Sequence, residues 1–179
     1  MTKMQLEQCI EAYGTELFSF CCRLTGSRQE AEELYQDTFL KAIELRAGID
    51  WEQNPKSYLV SIALRIWKNR KRKYAWRSRI AKVHPLTEVP DMGEQTTEFS
   101  SANPTEEQWL IRERSLLVRR AVAELSEKLR MPVYLFYTMQ FSISEIAELL
   151  KIPPGTVKNR LHRARVILKE KLEVVLDET

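Results

Sequence analysis

Apolar residues in the first half of the chain recur at three- and four-residue spacing, the period of one buried face of an α-helix. The first such segment, Leu6 to Thr25, ends at Gly26, a residue typical of helix C-terminal caps. Ser27 and Glu30 have the spacing of a capping box and open a second helix, which extends to Arg46. Its predicted buried stripe is Ala31, Leu34, Tyr35, Thr38, Phe39 and Ala42.

A third helix is predicted to begin at Pro55, because proline is favoured in the first turn of a helix. It follows a break in the apolar pattern at residues 47–50. Its predicted apolar face is Tyr58, Leu59, Ile62, Ala63 and Ile66. Beyond Ile66 charged residues replace the apolar pattern.

Residues 83–107 have no apolar period and contain Pro85, Pro90, Gly93 and Pro104. This composition predicts an extended linker. A loop of that length is uncommon inside one compact domain, so the chain is predicted to form two small helical domains, residues 1–82 and 108–179. The predicted fold class is therefore all-α.

The second domain is predicted to have its own apolar stripe and a helix that begins or kinks near Pro132. The predicted core residues of its first helix are Leu110, Leu116, Leu117, Ala121, Val122 and Leu125.

A short helix, a tight turn and a cationic helix follow one another from Ser142 to Leu168. Ser142 and Glu145 have capping-box spacing, and Lys151–Gly155 reads as the turn. Thr156 is predicted to cap the second helix. Apolar positions on the first of these helices are Ile146, Ala147, Leu149 and Leu150, and on the second Val157, Leu161, Ala164 and Leu168. The order predicts a helix-turn-helix.

The outward positions of the second helix suit DNA, since arginine and asparagine pair with base edges and cations hold phosphates. No acidic residue lies between Lys151 and Lys169. The alternative, a solvated helical hairpin, does not explain that bias. The candidate DNA-binding residues include Lys158, Asn159, Arg160, His162, Arg163 and Arg165.

The net charge of +3 hides an uneven distribution. Residues 1–82 carry 15 Lys or Arg against 10 acids, and residues 108–179 carry 13 against 9. The linker, residues 83–107, has 6 acids and no Lys or Arg. Two basic domains joined by an acidic connector predict two separate contacts with an anionic partner.

A basic and aromatic segment occupies Arg65–Lys82, with nine Lys or Arg and no acid. Trp67, Tyr74 and Trp76 lie among these cations, which suits unpaired DNA because rings stack on bases while cations hold phosphates. The residues alone leave open whether the tryptophans stack on DNA or pack in the core.

A strip of the second helix, opposite its buried stripe, places one apolar residue among acidic and polar ones: Glu33, Gln36, Asp37, Leu40 and Glu44. Such a strip suits a partner surface with an apolar anchor and a charged rim. An ordinary solvated face fits the same pattern.

Other classes of protein find little support in the sequence. Cys9, Cys21 and Cys22 have no metal-ligand spacing and are expected to be reduced thiols of a cytoplasmic protein. His84 and His162 have no acidic or thiol companion nearby, so neither a metal site, a cofactor nor catalytic activity is expected. No apolar run is long enough for a membrane span, and residues 1–11 lack the pattern of a secretory signal.

Two motifs resemble a known family. Glu32–Ala42, EELYQDTFLKA, looks like the core-polymerase-binding signature of sigma factors, and Thr156–Arg165, TVKNRLHRAR, looks like their promoter-recognition helix. The short two-domain layout resembles the extracytoplasmic-function (ECF) group of the sigma-70 family. The resemblance implies a transcription initiation factor that binds core RNA polymerase and promoter DNA, with an anti-sigma factor as a further partner.

The same resemblance implies roles for individual residues. Glu33, Gln36, Asp37 and Leu40 would face the clamp of the large polymerase subunit, and the acidic linker would thread the active-site and RNA-exit region. The −10 element would be bound and melted by Arg65, Trp67, Lys68, Asn69, Arg70, Lys71, Arg72 and Lys73. The loop 47–54 would hold a flipped base through Gly48, Asp50, Trp51 and Asn54. The −35 element would be read by Thr156, Lys158, Asn159, Arg160, His162, Arg163 and Arg165.

The chain departs from the family pattern at three positions. Arg65 and Asn69 stand where many relatives have Asn and Asp, and Ser126 stands where proline is usual. The first two departures bear on the details of −10 recognition. The main alternative function is a stand-alone helix-turn-helix regulator, which explains the second domain but neither the basic and aromatic segment nor the acidic linker.

Overall fold

The computed structural model describes residues 3–45, 54–81 and 106–177, and every regular element in these ranges is a helix. The helices are α1 (Lys3–Thr25), α2 (Arg28–Glu44), α3 (Pro55–Ala81), α4 (Glu106–Ala123), α5 (Glu127–Val133), α6 (Ile143–Leu150) and α7 (Pro154–Asp177), with a π-helical turn, Tyr134–Thr138, after α5. They form two compact units, Met1–Gln95 and Thr96–Thr179. The predicted all-α class with two helical bodies is confirmed. The predicted linker lies almost entirely outside the described residues. No helix among those described has the length and apolar character needed to span a membrane.

The first unit is a three-helix body in which α1, α2 and α3 pack against one another. Its fully buried side chains include Leu17, Phe20, Leu34, Leu59 and Val60. The α1–α2 crossing is close at Gly14, where an added Cβ would lie 2.9 Å from the hydroxyl oxygen of Tyr35. A larger residue at this position would therefore require the Tyr35 ring to shift.

The predicted helix boundaries of this unit are largely correct. Gly26 ends α1 with a φ of 75°, and the Ser27 hydroxyl accepts a bond from the Glu30 backbone N–H at 3.5 Å. α3 begins at Pro55 as predicted and continues as a helix through the charged segment to Ala81. Its buried face extends one residue beyond the predicted stripe, to Trp67.

The three cysteines are buried and carry free thiols. Burial, reinforced by the neighbouring Cys22, raises the pKa of Cys21 to about 12. Burial likewise raises the pKa of Cys9. Because the thiolate is the reactive form, these groups behave as packing residues.

The second unit is built from α4 to α7, with α7 contacting α4, α5 and α6. Of the two alternatives predicted near Pro132, a helix that begins there is not found. α5 begins at Glu127 and carries Pro132 in its interior, and a π-helical turn follows, closed by the bond from the Met139 N–H to the Tyr134 carbonyl. A wide turn is a known response to a disrupted hydrogen-bond ladder.

Three further predictions for this unit are wrong. Leu110 and Leu116 are exposed, because only the C-terminal part of α4, with Ala121 and Val122, is buried. Thr156 does not cap α7. The helix begins two residues earlier at Pro154, and the Thr156 N–H bonds to the Pro153 carbonyl, so proline occupies the first-turn position it favours.

Candidate nucleic-acid interface

α7 has a buried side and a cationic side. Val157, Leu161 and Ala164 are buried, and they recur at the spacing of one helix face. Lys158, Asn159, His162, Arg163 and Arg165 are exposed, whereas Thr156 and Arg160 are half-buried. The predicted DNA-binding residues other than Thr156 and Arg160 therefore lie in solvent on a helix whose opposite side is held by the core.

α6 holds α7 in place through a tightly specified turn. Ser142 and Glu145 form the reciprocal capping box that the sequence predicts: the Glu145 N–H donates to the Ser142 hydroxyl at 3.3 Å, and the Ser142 N–H donates to the Glu145 carboxylate at 2.8 Å. Lys151 ends α6 in the left-handed region, with φ 54°. The Ile152 N–H then bonds to the Ala147 carbonyl at 3.0 Å. The capping box thus stabilises the start of α6, and the Ile152 bond closes its end, where the chain turns toward α7.

Tyr137 is a contact of the cationic side that sequence reasoning missed. The Arg165 Nε donates to the Tyr137 hydroxyl at 2.9 Å, and the guanidinium carbon lies 6.0 Å from the ring centroid. Tyr137 belongs to the π-helical turn, and its carbonyl accepts a bond from Gln140 at 2.8 Å. Nothing in the local sequence near Tyr137 signals this contact, because 28 residues separate the partners.

The distal half of α3 presents its cations without a covering layer. Arg65, Lys68, Asn69, Lys71, Arg72 and Lys73 are exposed. Tyr74 and Trp76 are 60% and 64% exposed, so both rings are accessible to a base. The structure therefore brings cations and rings together on one helix end, as the sequence indicates.

Trp67 is a correction to the predicted −10 set. Its side chain is only 7% exposed, on the face of α3 that packs in the core, and Lys71 Nζ lies 5.0 Å from its ring centroid. A ring buried in this way cannot stack on an unpaired base without unfolding its surroundings. Of the two arrangements that the sequence left open for this tryptophan, packing is the one found.

The strip on α2 faces outward. Glu33, Gln36 and Leu40 are exposed, Leu40 at 59%, and Asp37 is half-buried. Arg70 of α3 reaches this strip, with Nη2 at 2.5 Å from Asp37 Oδ2 and Nη1 at 3.7 Å from Glu33 Oε2. Two predicted sites, one for polymerase and one for DNA, thus meet at a single guanidinium.

The predicted flipped-base loop is described only at its end. Gly48, Asp50 and Trp51 lie outside the described residues. Asn54 is exposed, and its side-chain oxygen accepts a bond from the Ser57 N–H at 3.0 Å, the geometry of a helix N-cap for α3. Among the described residues, no cluster of three or more His, Cys, Asp or Glu could hold a metal ion.

Comparison with known proteins assigns both units. A family model described as sigma-70 region 2 matches residues 9–77, and one described as sigma-70, region 4 matches residues 115–168. The ECF RNA polymerase sigma factor SigW of Bacillus subtilis is 28% identical over 91% of this chain and 86% of its own length. The RNA polymerase sigma factor YlaC of the same organism is 29% identical, covering 93% and 91%.

The fold has also been seen in solved structures. The sigma factor RpoE from Bartonella quintana, in complex with the anti-sigma factor NepR, is similar with a TM-score of 0.70 and 23% identity, covering 94% of this chain and 96% of that one. CnrH in complex with the cytosolic domain of CnrY has a TM-score of 0.67 and 18% identity, covering 97% and 90%.

Proposed function

The chain belongs to the sigma-70 family of RNA polymerase sigma factors, in its ECF group, and from that premise we propose how its surfaces divide the work of promoter recognition. Residues 1–82 bind core polymerase and the −10 element, and residues 108–179 bind the −35 element. Residues 83–107 connect them through the polymerase. The chain selects and opens promoters in the cytoplasm without catalysing a reaction, since the polymerase supplies the chemistry.

The observation that carries this proposal is the two-sided character of α7. A helix held by Val157, Leu161 and Ala164 on one side, with exposed cations on the other, can enter a major groove without exposing its core. In this proposal the exposed side chains of Asn159 and Arg163 reach base edges, and that of Lys158 holds phosphate. Arg160 is half-buried, so we assign it a contact at the edge of the groove.

The first unit supplies the polymerase contact and the melting surface. The strip Glu33, Gln36, Asp37 and Leu40 is accessible for the clamp of the large subunit, with Leu40 as its apolar anchor. Lys68, Lys71, Arg72 and Lys73 hold the −10 backbone, while Tyr74 and Trp76 stack on unpaired bases. An anti-sigma factor is the further partner that we propose, and Gly48, Asp50 and Trp51 would hold a flipped base.

Transcription in vitro tests the proposal as a whole. The chain is added to sigma-free core polymerase with a library of promoter fragments, and start sites are read by sequencing the transcripts. We expect transcription from a discrete set of promoters sharing −35 and −10 elements. Transcription at background level with active core would refute the function.

Binding to core polymerase can be tested at Leu40. Leu40→Asp should weaken core binding by about 2 kcal/mol if it is a central contact, because it places a charge where the clamp would bury an apolar side chain. Ile10→Asp is the matched control, since Ile10 is an exposed apolar residue of α1. Core binding that is equally affected by both substitutions would count against the strip.

DNA binding separates a sigma factor from a stand-alone regulator. The −35 contact made by one helix is weak by itself and gains affinity when polymerase holds both units at promoter spacing. Fluorescence anisotropy on promoter duplex should therefore show much tighter binding for holoenzyme than for the free chain. If the free chain binds as tightly as holoenzyme does, the stand-alone regulator is the better description.

A further inference from the structure

Arg70 differs from the other cations of its segment. Among the described Lys and Arg residues between positions 65 and 79, it is the only one that is half-buried, and the others are exposed. It follows Ala63 and Trp67 at the spacing i, i+4, i+7, so it continues the buried face of α3. Its side chain therefore leaves α3 toward α2 and away from the cationic surface.

The partners of Arg70 are two carboxylates of the polymerase-binding strip. Nη2 lies 2.5 Å from Asp37 Oδ2, and Nη1 lies 3.7 Å from Glu33 Oε2. Glu33 and Asp37 are four residues apart on α2, where like charges repel. A guanidinium between them offsets this repulsion: it donates a hydrogen bond that holds the Asp37 carboxylate and lies within ion-pair distance of Glu33.

The carboxylates remain available to a partner while they are held. The side chains of Asp37 and Glu33 are 48% and 57% exposed, and their contacts with Arg70 run through Asp37 Oδ2 and Glu33 Oε2. The second oxygen of each group can accept a bond from a partner. Side chains fixed in advance lose less conformational entropy on binding, which raises affinity.

We propose that Arg70 is a positioning residue for polymerase recognition, which presents Asp37 and Glu33 to the clamp, and that it is not a direct DNA contact. The proposal rests on the function assigned above to the α2 strip. It reassigns Arg70 from the −10 set in which the sequence places it. It also links the two surfaces, because one side chain of the DNA-binding helix orders the polymerase-binding strip.

Arg70→Gln tests the polymerase half of the proposal, with Arg72→Gln as the matched control because Arg72 is exposed on the same helix. We expect Arg70→Gln to weaken core binding about fivefold, at the upper end for partly exposed ion pairs. Arg72→Gln should leave core affinity unchanged. Equal core affinity of Arg70→Gln and the unsubstituted chain overturns the proposal.

Salt dependence tests the DNA half. Holoenzyme is formed at saturating chain, and promoter affinity is measured against salt concentration. Arg72→Gln should lower the slope by about one, the value for one lost phosphate contact, whereas Arg70→Gln should leave it unchanged. A slope lowered equally by both substitutions would return Arg70 to the DNA-binding set.

A double-mutant cycle separates positioning from general support of the fold. If Arg70 acts through Asp37, Arg70→Gln combined with Asp37→Asn should bind core within about twofold of Asp37→Asn alone. Fully additive losses overturn the proposal. Arg70→Lys, which keeps the charge but not the planar guanidinium, is the variant to measure if Arg70→Gln unfolds. We expect it to lower core affinity about twofold and to leave the salt slope unchanged. Unchanged core affinity of this variant overturns the proposal.

Core binding by the unsubstituted chain distinguishes failure of the proposed function from failure of the role of Arg70. If the unsubstituted chain does not bind core polymerase, the proposed function itself fails. If it binds and every Arg70 variant binds equally well, only the role of Arg70 fails.

Discussion

The two cationic helices, α3 and α7, contain similar basic residues but arrange them differently relative to their buried residues. α7 alternates its cations with Val157, Leu161 and Ala164, so that a buried stripe runs beneath the basic side. α3 separates the two properties along its length: its first half packs in the core, and all seven residues from position 71 to 77 are exposed. In α7 the basic side lies opposite a buried stripe, whereas in α3 the basic residues from position 71 to 77 belong to an exposed helix end.

This difference matches the form of DNA that we assign to each helix. A groove of duplex DNA has a fixed shape, and a helix that reads it must be held in one orientation. An unpaired strand is flexible, and a surface that offers charge and rings on all sides can follow it. α7, which is held by its buried stripe, therefore suits recognition of duplex DNA, and the exposed end of α3 suits binding of a melted strand.

The largest expected effect on stability concerns the tryptophans of α3, one buried and one exposed. Trp67→Ala should destabilise the first unit by about 3–5 kcal/mol, because it empties a buried site, whereas Trp76→Ala should leave the free energy of unfolding almost unchanged. Urea unfolding followed by circular dichroism measures both. Similar losses in the two variants would mean that the distal half of α3 is packed after all.

The next largest effect is expected at the buried stripe of α7. Leu161→Ala should cost about 2–5 kcal/mol of stability in the second unit and weaken −35 binding by disordering the helix. His162→Ala, one residue along on the exposed side, is the control and should leave stability unchanged. If Leu161→Ala unfolds no more readily than the control, the stripe does not hold the helix.

Promoter opening tests the role of the exposed aromatic residues at the end of α3. Tyr74→Ala or Trp76→Ala should slow opening while allowing a closed complex, because each base stacked on a ring contributes about 1–3 kcal/mol. Permanganate reactivity of unpaired thymines reports the rate. Trp109→Ala is the control, an exposed tryptophan of α4. Opening at the unsubstituted rate in both α3 variants would remove the stacking role.

The smallest expected effect concerns the cap of α6. Ser142→Ala removes the acceptor of the capping box and should cost about 1 kcal/mol, lowering the melting temperature of the second unit slightly. Ser144→Ala, an exposed position in the first turn of the same helix that is not the cap, should be close to neutral. A larger effect at Ser144 would show that the cap does not stabilise α6.

Predictions made from local sequence agree well with the helices. The C-terminal end of α1 and the start of α3 follow from Gly26 and Pro55, residues whose backbone preferences act without help from the rest of the chain. The same reasoning failed at Thr156, because Pro154 begins α7. At Pro132 the helix continues through the proline, whose neighbours Met131 and Val133 are buried, so a helix start at this residue, one of the two predicted alternatives, is not found.

Burial was predicted less well than helix position. Leu110 and Leu116 have the spacing of a core stripe but are exposed, because spacing selects a face without showing whether another helix covers it. Trp67 was left open by the residues alone and placed in the −10 set by the family resemblance, and the structure buries it in the core.

The sequence by itself determined the helical class, the order of the elements, the helix-turn-helix and the family, because periodicity, caps and motifs are local properties. Only the tertiary structure decided which members of each charged segment face a partner. Arg70 and Arg72 are two residues apart with the same charge, yet one reaches Asp37 across a helix interface and the other remains in solvent. That choice depends on how α3 packs against α2, a contact between residues 33 positions apart in the chain.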